Sequence, residues 1–475
     1  MPEKYWQIHW KVHKTPKDKT LSMTDQLTQK KHTVYFETLG CPKNEVDTSY
    51  MQGIINENQV IVDHPDSASV IIINTCSFIE TASQESIERV LELSEYKQMG
   101  SCQKLIVIGC LVERFAPDIQ NALPEVDIFL GTGALDQVQK VIQTNQSLPY
   151  ILTPSPKQSH TFRQHAPRWL SQGTKTAYIQ IAEGCSFHCT YCIIPKLRGP
   201  YRSIPEKRIL DELNLCLKAG IKEIILVAQD TAAYGTDSAN CGTLSQLLTQ
   251  MADIIESSDH EAWLRTLYMN PQHIDEQLIQ TINSFQCICP YIDMPIQHVN
   301  DDILKAMNRP YKKKDLLRLI EKMRSENSDI ALRTSLLVGF PGEQDTHFQE
   351  LMQFIQEVKF DHLGVFDYSD ADDLLSHQLQ GHVDEIEKEE RRHALMTCQA
   401  EISYQRQQRY IGKTLDVLTE ALSDDDPPLR EGRTVFQAPE IDGITLVTGD
   451  NIESGRIYPV KITQAFHYDL LGELL

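Results

Sequence analysis

The sequence predicts an α/β protein in three ordered parts: an N-terminal parallel α/β sheet domain, a central partial (β/α) barrel, and a small C-terminal antiparallel β-barrel. Three observations predict it. Short apolar runs rich in β-branched residues alternate with helical patterns along most of the 475 residues. A stretch holding Pro149, Pro154, Pro156 and Pro167 interrupts that alternation at 145–174 and reads as a linker. From Gly412 onward, short strands and the turn pairs Asp442-Gly443 and Gly449-Asp450 replace the helices.

Residues 1–32 are polar and lysine-containing without sustained periodicity, which predicts a disordered arm. They lack arginine and carry Asp and Glu, which argues against a targeting peptide. In 33–144, Thr33-Val34-Tyr35-Phe36, Val70-Ile71-Ile72-Ile73 and Leu105-Ile106-Val107-Ile108 read as strands, and Glu80–Glu95 as a helix. Each run leads to a cysteine, in Leu39-Gly40-Cys41, Asn74-Thr75-Cys76 and Gly109-Cys110. Open parallel sheets bind ligands beyond the carboxyl ends of their strands. Cys41, Cys76 and Cys110 therefore form one candidate site, although position alone suits three buried apolar thiols equally well.

In 175–411 the predicted strands are 177–182, 223–229, 263–269, 290–296, 331–338 and 361–367. Helical patterns such as Glu206–Ala219 and Lys312–Ser325 lie between them. Six such strands predict a partial barrel with its active-site groups on the loops after the strands. Residues 384–411 read as a long helix closing this domain. The remaining 412–475 form the small barrel.

Composition narrows the function. Hydrophobic content of 41% and charged content of 23% are those of a globular protein, and no apolar run reaches membrane-spanning length. Twelve cysteines in so long a chain do not form a disulfide scaffold, which predicts a reducing cytoplasm and thiols available for metal. A formal net charge of −21 disfavours affinity built on phosphate neutralisation and suits a basic partner. A monomer is the default assembly.

The most specific motif is Gly184-Cys185-Ser186-Phe187-His188-Cys189-Thr190-Tyr191-Cys192, directly after the strand Tyr178-Ile179-Gln180-Ile181. Three thiolates on one loop do not close a structural zinc site or a ferredoxin cluster, both of which take four ligands. The pattern resembles that of the radical S-adenosylmethionine enzymes. The resemblance implies a 4Fe-4S cluster held by Cys185, Cys189 and Cys192, with one iron left open to S-adenosylmethionine. Ile193-Ile194-Pro195 and Arg198-Gly199 continue this loop as that family does, and Arg198 is a candidate partner for a charged group, with a surface salt bridge as its alternative.

The domain order resembles the methylthiotransferases of that superfamily, with a C-terminal TRAM barrel. This implies a second 4Fe-4S cluster on Cys41, Cys76 and Cys110, and replacement of an unactivated C–H bond by C–S–CH₃. Side-chain bases cannot remove such a hydrogen, so the cofactors must supply the chemistry. Several segments are similar to the branch that acts on the β-carbon of an aspartate in the twelfth small-subunit ribosomal protein. They are Leu39-Gly40-Cys41-Pro42-Lys43-Asn44-Glu45-Val46-Asp47, Ala228-Gln229-Asp230-Thr231, Ala438-Pro439-Glu440-Ile441-Asp442-Gly443 and Tyr468-Asp469-Leu470-Leu471-Gly472-Glu473. The resemblance implies a basic ribosomal protein as partner, free or within the subunit, together with an electron donor and a sulfur donor. Residues 412–475 hold five Lys and Arg against twelve Asp and Glu, which fits that partner better than tRNA. The rival readings are methylthiolation of a tRNA adenosine and a non-enzymatic iron–sulfur or zinc protein.

Asp293-Met294-Pro295-Ile296-Gln297-His298 and Leu332-Arg333-Thr334-Ser335-Leu336-Leu337-Val338-Gly339-Phe340-Pro341-Gly342-Glu343 also resemble the family. They make Gln297, Arg333 and Ser335 candidate contacts to S-adenosylmethionine, with Gly339 and Gly342 permitting close backbone approach. His298 is expected to be structural. Cys102, Cys216, Cys241, Cys287, Cys289 and Cys398 are expected to be ordinary thiols. One departure stands out: the family has a Gly-Thr-Pro core after Tyr368-Ser369, whereas this chain reads Asp370-Ala371-Asp372-Asp373-Leu374-Leu375-Ser376. Substrate contacts there are expected to differ.

Overall fold

The computed structural model describes residues 31–56, 58–144, 150–171, 173–423 and 429–475. The expected N-terminal arm 1–32 therefore lies outside the described residues, except for Lys31 and His32. The chain forms two compact units, one of residues up to 169 with 196–199 and 370–377, the other of 170–195, 200–369 and 378–475.

The first unit is a six-stranded parallel sheet. Its strands are β1 (Thr33–Thr38), β2 (Val60–Ile61), β3 (Val70–Thr75), β4 (Lys104–Gly109), β5 (Ile128–Leu130) and β6 (Tyr150–Leu152), in the order β2-β1-β3-β4-β5-β6. Alternation along the strands builds two cores. Val70, Ile72, Ile106 and Ile108 pack with Met51 and Ile55 of the helix Pro42–Ile55. Ile71, Ile73, Leu105 and Val107 pack on the other face with Val90 and Leu93 of the helix Glu80–Ser94. Burial on both faces explains the continuous apolar runs.

The linker expected at 145–174 is corrected: this stretch supplies β6 and the helix Lys157–His165. Tyr150–Leu152 pairs with β5, and Arg163, fully buried, donates to Asp47 Oδ1 from Nε at 2.9 Å and from Nη2 at 2.6 Å. Pro154 and Pro156 precede the helix and Pro167 follows it, so they bound an element without interrupting one.

In the second unit, β7 (Thr176–Gln180) is followed by the short pair β8 (Ala182–Glu183) and β9 (Arg202–Ser203), then β10 (Glu223–Val227), β11 (Trp263–Thr266), β12 (Tyr291–Asp293), β13 (Ala331–Val338) and β14 (His362–Asp367). Parallel sheets β11-β10-β7 and β12-β13-β14 adjoin at the bridge Leu264↔Ile288, giving the expected six-stranded partial barrel. Ile224, Leu226, Leu332, Leu336 and Val338 face the surrounding helices in one large core. Alternation then turns Gln180, Arg265, Arg333 and Ser335 toward the interior.

Strands β15 (Thr414–Leu422), β16 (Arg430–Thr434), β17 (Thr445–Thr448), β18 (Ile457–Ala465) and β19 (Leu470–Leu474) close into a barrel around Val417, Val447, Val460 and Ile462. One of its five pairings, β17 with β19, is parallel; the other four are antiparallel.

A buried ionic network joins the two barrels. Glu223 receives Arg265 at 2.7 Å and Arg433 at 2.6 Å, and Arg433 also meets Glu420 at 2.6 Å. Burial raises the Glu223 carboxyl, but the two guanidinium groups outweigh it and hold the group below the usual carboxylate range. Asp442, expected within a simple turn, is also buried here. Its carboxylate accepts from Tyr291 Oη at 2.6 Å and Ala438 N at 2.8 Å, and lies 3.4 Å from both Arg333 Nε and His362 Nδ1. Gly443 beside it is hemmed in: a Cβ would stand 2.0 Å from Tyr468 O.

Candidate functional site

In the first unit the three cysteines lie at the carboxyl ends of the adjacent strands β1, β3 and β4. Cys41 is the N-cap of the helix Pro42–Ile55, Cys76 follows β3, and Cys110 begins the helix Cys110–Phe115. The glycines before Cys41 and Cys110 are left-handed, with φ +93 at Gly40 and +107 at Gly109. A Cβ at Gly40 would lie 2.5 Å from Cys76 Cβ, so the two cysteine loops touch there.

A hydrogen-bonded layer sets these loops. Asn44 Nδ2 donates to Leu39 O at 2.7 Å and Thr75 O at 3.2 Å, just ahead of Cys41 and Cys76. Ser86 Oγ donates to Cys76 O at 2.8 Å, and Cys76 N donates to Ser86 Oγ at 3.2 Å. Arg198 is buried, not the surface bridge offered as its alternative. It donates to Asp47 Oδ2 and Asn44 Oδ1, each at 2.7 Å, and to the Cys110 thiol. Burial pushes the Cys76 thiol up to about 12, with Cys110 and Cys41 adding to the shift. Burial also raises Cys110, against the pull of Arg198. Such thiols keep their protons until a metal displaces them. Glu113, beside Thr132 N at 3.0 Å, is raised by burial as well, with Arg198 opposing.

The departing loop also belongs to this unit. Asp373 receives Arg114 Nη2 at 2.7 Å and Nε at 3.1 Å, and lies 3.4 Å from Lys196 Nζ. Arg114 also donates to Ser77 O at 2.8 Å, one residue beyond Cys76. The acidic substitution thus holds its loop against a cysteine-bearing segment.

In the second unit, Cys185, Cys189 and Cys192 occupy one loop after β8. Thr190 donates to Met307 O at 3.2 Å and, through Oγ1, to Ala306 O at 2.9 Å; Asn308 Nδ2 donates to His188 O at 2.8 Å. The loop is thereby hung on the end of the helix Asp301–Ala306. Arg309 donates to Tyr191 Oη at 3.1 Å and stabilises the charged forms of Cys185 and Cys192. Burial nevertheless pushes Cys185 up to about 11 and Cys192 up to about 12. The sequence reading missed Arg309, whose role depends on a contact far along the chain.

The other expected site residues divide. Gln297 has φ 68, unusual for its residue type, and its backbone bridges to β13 through Ser335 O at 2.9 Å and Leu337 N at 2.7 Å. Ser335 stays partly exposed. Arg333 pairs with Asp293 at 3.0 Å and lies 3.4 Å from Asp442, at the join with the small barrel. A Cβ added at Gly339 would stand 2.2 Å from Lys388 Cγ. Gly342 has φ +87 with open space around it. His298 is fully buried, burial lowers its imidazole to about 3, and its Nδ1 accepts from Asn300 N at 3.0 Å, a structural role. The structure adds Gln180 and Gln229, at the carboxyl ends of adjacent strands. Gln180 Oε1 and both amide atoms of Gln229 are buried without a hydrogen-bond partner among the described residues, as in a site shaped for a polar ligand. Cys216 sits in the barrel core, as expected of an ordinary thiol.

Among the described residues, no three His, Cys, Asp or Glu side chains converge as ligands of a single metal ion. A cubane cluster spreads its thiolates over separate irons and needs them further apart. The donor sets, three cysteines on three loops in the first unit and three on one loop in the second, suit such a cluster better than a four-ligand zinc site.

Gly40→Ala combines a left-handed backbone with the contact to Cys76, a strain of about 1–3 kcal/mol. The variant is expected to lose iron from this site alone, falling to about four irons per chain, as measured by iron and acid-labile sulfide.

Comparison with known proteins agrees with this architecture. Residues 33–131 match the uncharacterized protein family UPF0004, 179–355 the radical SAM superfamily and 411–475 the TRAM domain. The chain is 42% identical over 444 residues to the ribosomal protein uS12 methylthiotransferase RimO of Clostridioides difficile, covering 93% of this chain and 98% of the relative. It is 41% identical over 450 residues to that of Geobacter sulfurreducens, covering 94% and 100%. Among solved structures, the radical S-adenosylmethionine methyltransferase TsrM of Kitasatospora setae shares the fold at a TM-score of 0.53 and 12% identity, over 70% of this chain and 72% of that one. With 42% and 41% identity over 93% and 94% of its length, the chain belongs to the ribosomal protein uS12 methylthiotransferase family.

Proposed function

We propose that this protein methylthiolates the β-carbon of an aspartate in ribosomal protein uS12, using two 4Fe-4S clusters and S-adenosylmethionine. The observation that carries the reading is the pair of three-cysteine sets, each on loops at strand ends, in a chain alike over 93% of its length to a uS12 methylthiotransferase. Cys185, Cys189 and Cys192 hold the cluster that binds S-adenosylmethionine, and Cys41, Cys76 and Cys110 hold the other. When bound, these groups supply the radical and sulfur-transfer chemistry.

The chain's own residues prepare both sites. Arg309 offsets negative charge beside the Cys185–Cys192 loop, and the Thr190 and Asn308 bonds fix that loop's position. Gln180, Gln229, Gln297 and Ser335 offer polar groups to S-adenosylmethionine at the carboxyl ends of the strands. The substrate is a basic protein, matched by the acidic small barrel. Of its five Lys and Arg, Arg433 is buried in the ionic join and unavailable to phosphate. The balance of the reaction requires an external electron donor and a sulfur source. A cytoplasmic site of action follows from this substrate, and no helix among the described residues is long and apolar enough to cross a membrane.

The test is incubation of the reconstituted enzyme, S-adenosylmethionine and a reductant with uS12 and, separately, with tRNA. Expected is a mass gain of one CH₂S unit on a single aspartate of uS12. Gain of the same unit on a tRNA adenosine, with uS12 unmodified, overturns the proposal.

A further inference from the structure

Arg198 and Arg163 are both buried and both pair with Asp47, yet they face different surroundings. Arg163 donates twice to Asp47 Oδ1, on the side of the helix Lys157–His165. Arg198 takes Asp47 Oδ2 with one nitrogen and Asn44 Oδ1 with another. Through Asn44 it is linked to Leu39 O and Thr75 O, the carbonyls that lead into Cys41 and Cys76. It also donates to Cys110 itself. One guanidinium thus connects all three cysteine loops and presents positive charge to the Cys76 and Cys110 sulfurs. An oxidised cubane on three thiolates is a net anion, and buried anions are expensive without a partner. Cluster potentials respond to net charge and to hydrogen bonds on sulfur, and groups just outside the ligands orient them.

We propose that Arg198 is a positioning residue for the cluster on Cys41, Cys76 and Cys110, and that its guanidinium raises that cluster's reduction potential. Asp47 holds the guanidinium in place through Oδ2 and accepts from Arg163 separately through Oδ1. The inference rests on the proposed assignment of a cluster to these three cysteines.

The experiment uses the full chain carrying Cys185→Ala, Cys189→Ala and Cys192→Ala, so that one site remains to load. Iron content and an EPR-monitored redox titration are measured in this parent and with Arg198→Gln, Arg198→Lys or Arg163→Gln added. Expected are about four irons in the parent, a lower potential with altered g-values in Arg198→Gln, a smaller shift in Arg198→Lys, and no shift in Arg163→Gln. A merely structural role predicts that the Arg163 and Arg198 variants behave alike. Equal shifts in both, or a parental potential in loaded Arg198→Gln, overturn the inference. Where Arg198→Gln takes up no iron, the lysine variant decides, and a parental potential there overturns it. A parent without iron overturns the cluster assignment itself, an outcome distinct from all of these.

Discussion

Alanine in place of Cys41, Cys76 and Cys110 together is expected to abolish methylthio transfer while leaving reductive cleavage of S-adenosylmethionine intact. Alanine in place of Cys185, Cys189 and Cys192 is expected to abolish both. The physical basis is that each unit carries its own donor set: the first three thiols lie on three strand ends of one sheet, the second three on one loop. Iron should be about eight per chain in the wild type and about four in each triple variant. The measurements are iron, acid-labile sulfide and 5′-deoxyadenosine. A wild type holding about four irons, none of them lost with Cys41, Cys76 and Cys110, would remove the sulfur-carrying site and falsify the proposed function, even with cleavage preserved.

Glu223→Ala is expected to destabilise the barrel pair by about 3–5 kcal/mol, the effect of leaving buried charges without their partner. Glu223 is fully buried between Arg265 and Arg433, and its removal strands two guanidinium groups. Arg265 retains contacts to Val435 O at 3.0 Å and the Tyr291 ring at 4.7 Å, and Arg433 retains Glu420, so the loss is large but not additive. Urea unfolding of the full chain measures it. A shift under about 1 kcal/mol would place the pair with exposed salt bridges and refute the buried network. The pH dependence has a definite sign. The Glu223 carboxyl titrates below its unfolded value, so the unfolded chain takes up the proton first on acidification. The stabilisation is therefore full above the usual carboxylate range and lost as the pH falls below it, through the lowered folded value. Glu223→Ala should lack that component.

Much of the site was legible in the sequence because the chemistry is local. The Cys185–Cys192 loop keeps its three thiols within eight residues, and each cysteine of the other set follows a recognisable strand. Strands β2, β5 and β6 escaped notice, since runs of two or three residues are too short to display a period. The segment 145–174 misled for a related reason: its prolines mark the edges of a short strand and helix, and composition does not distinguish edges from a linker.

The sequence by itself determined the fold class and the family, and it singled out six cysteines as candidate ligands. Alternation and motif spacing are properties of contiguous residues, and a backbone period carries them into the fold. Only the tertiary structure decided what the charged side chains do. Arg333 pairs with Asp442; Arg198, a candidate partner for a charged group, takes Asp47 and Cys110; and Asp373 of the departing loop clasps Arg114. The physical reason is common to all three. In each the buried charge is a guanidinium, Arg333, Arg198 or Arg114, and it must find an opposite charge or a hydrogen bond wherever the fold supplies one. Those partners lie 109, 151 and 259 residues away along the chain, where no periodicity reaches.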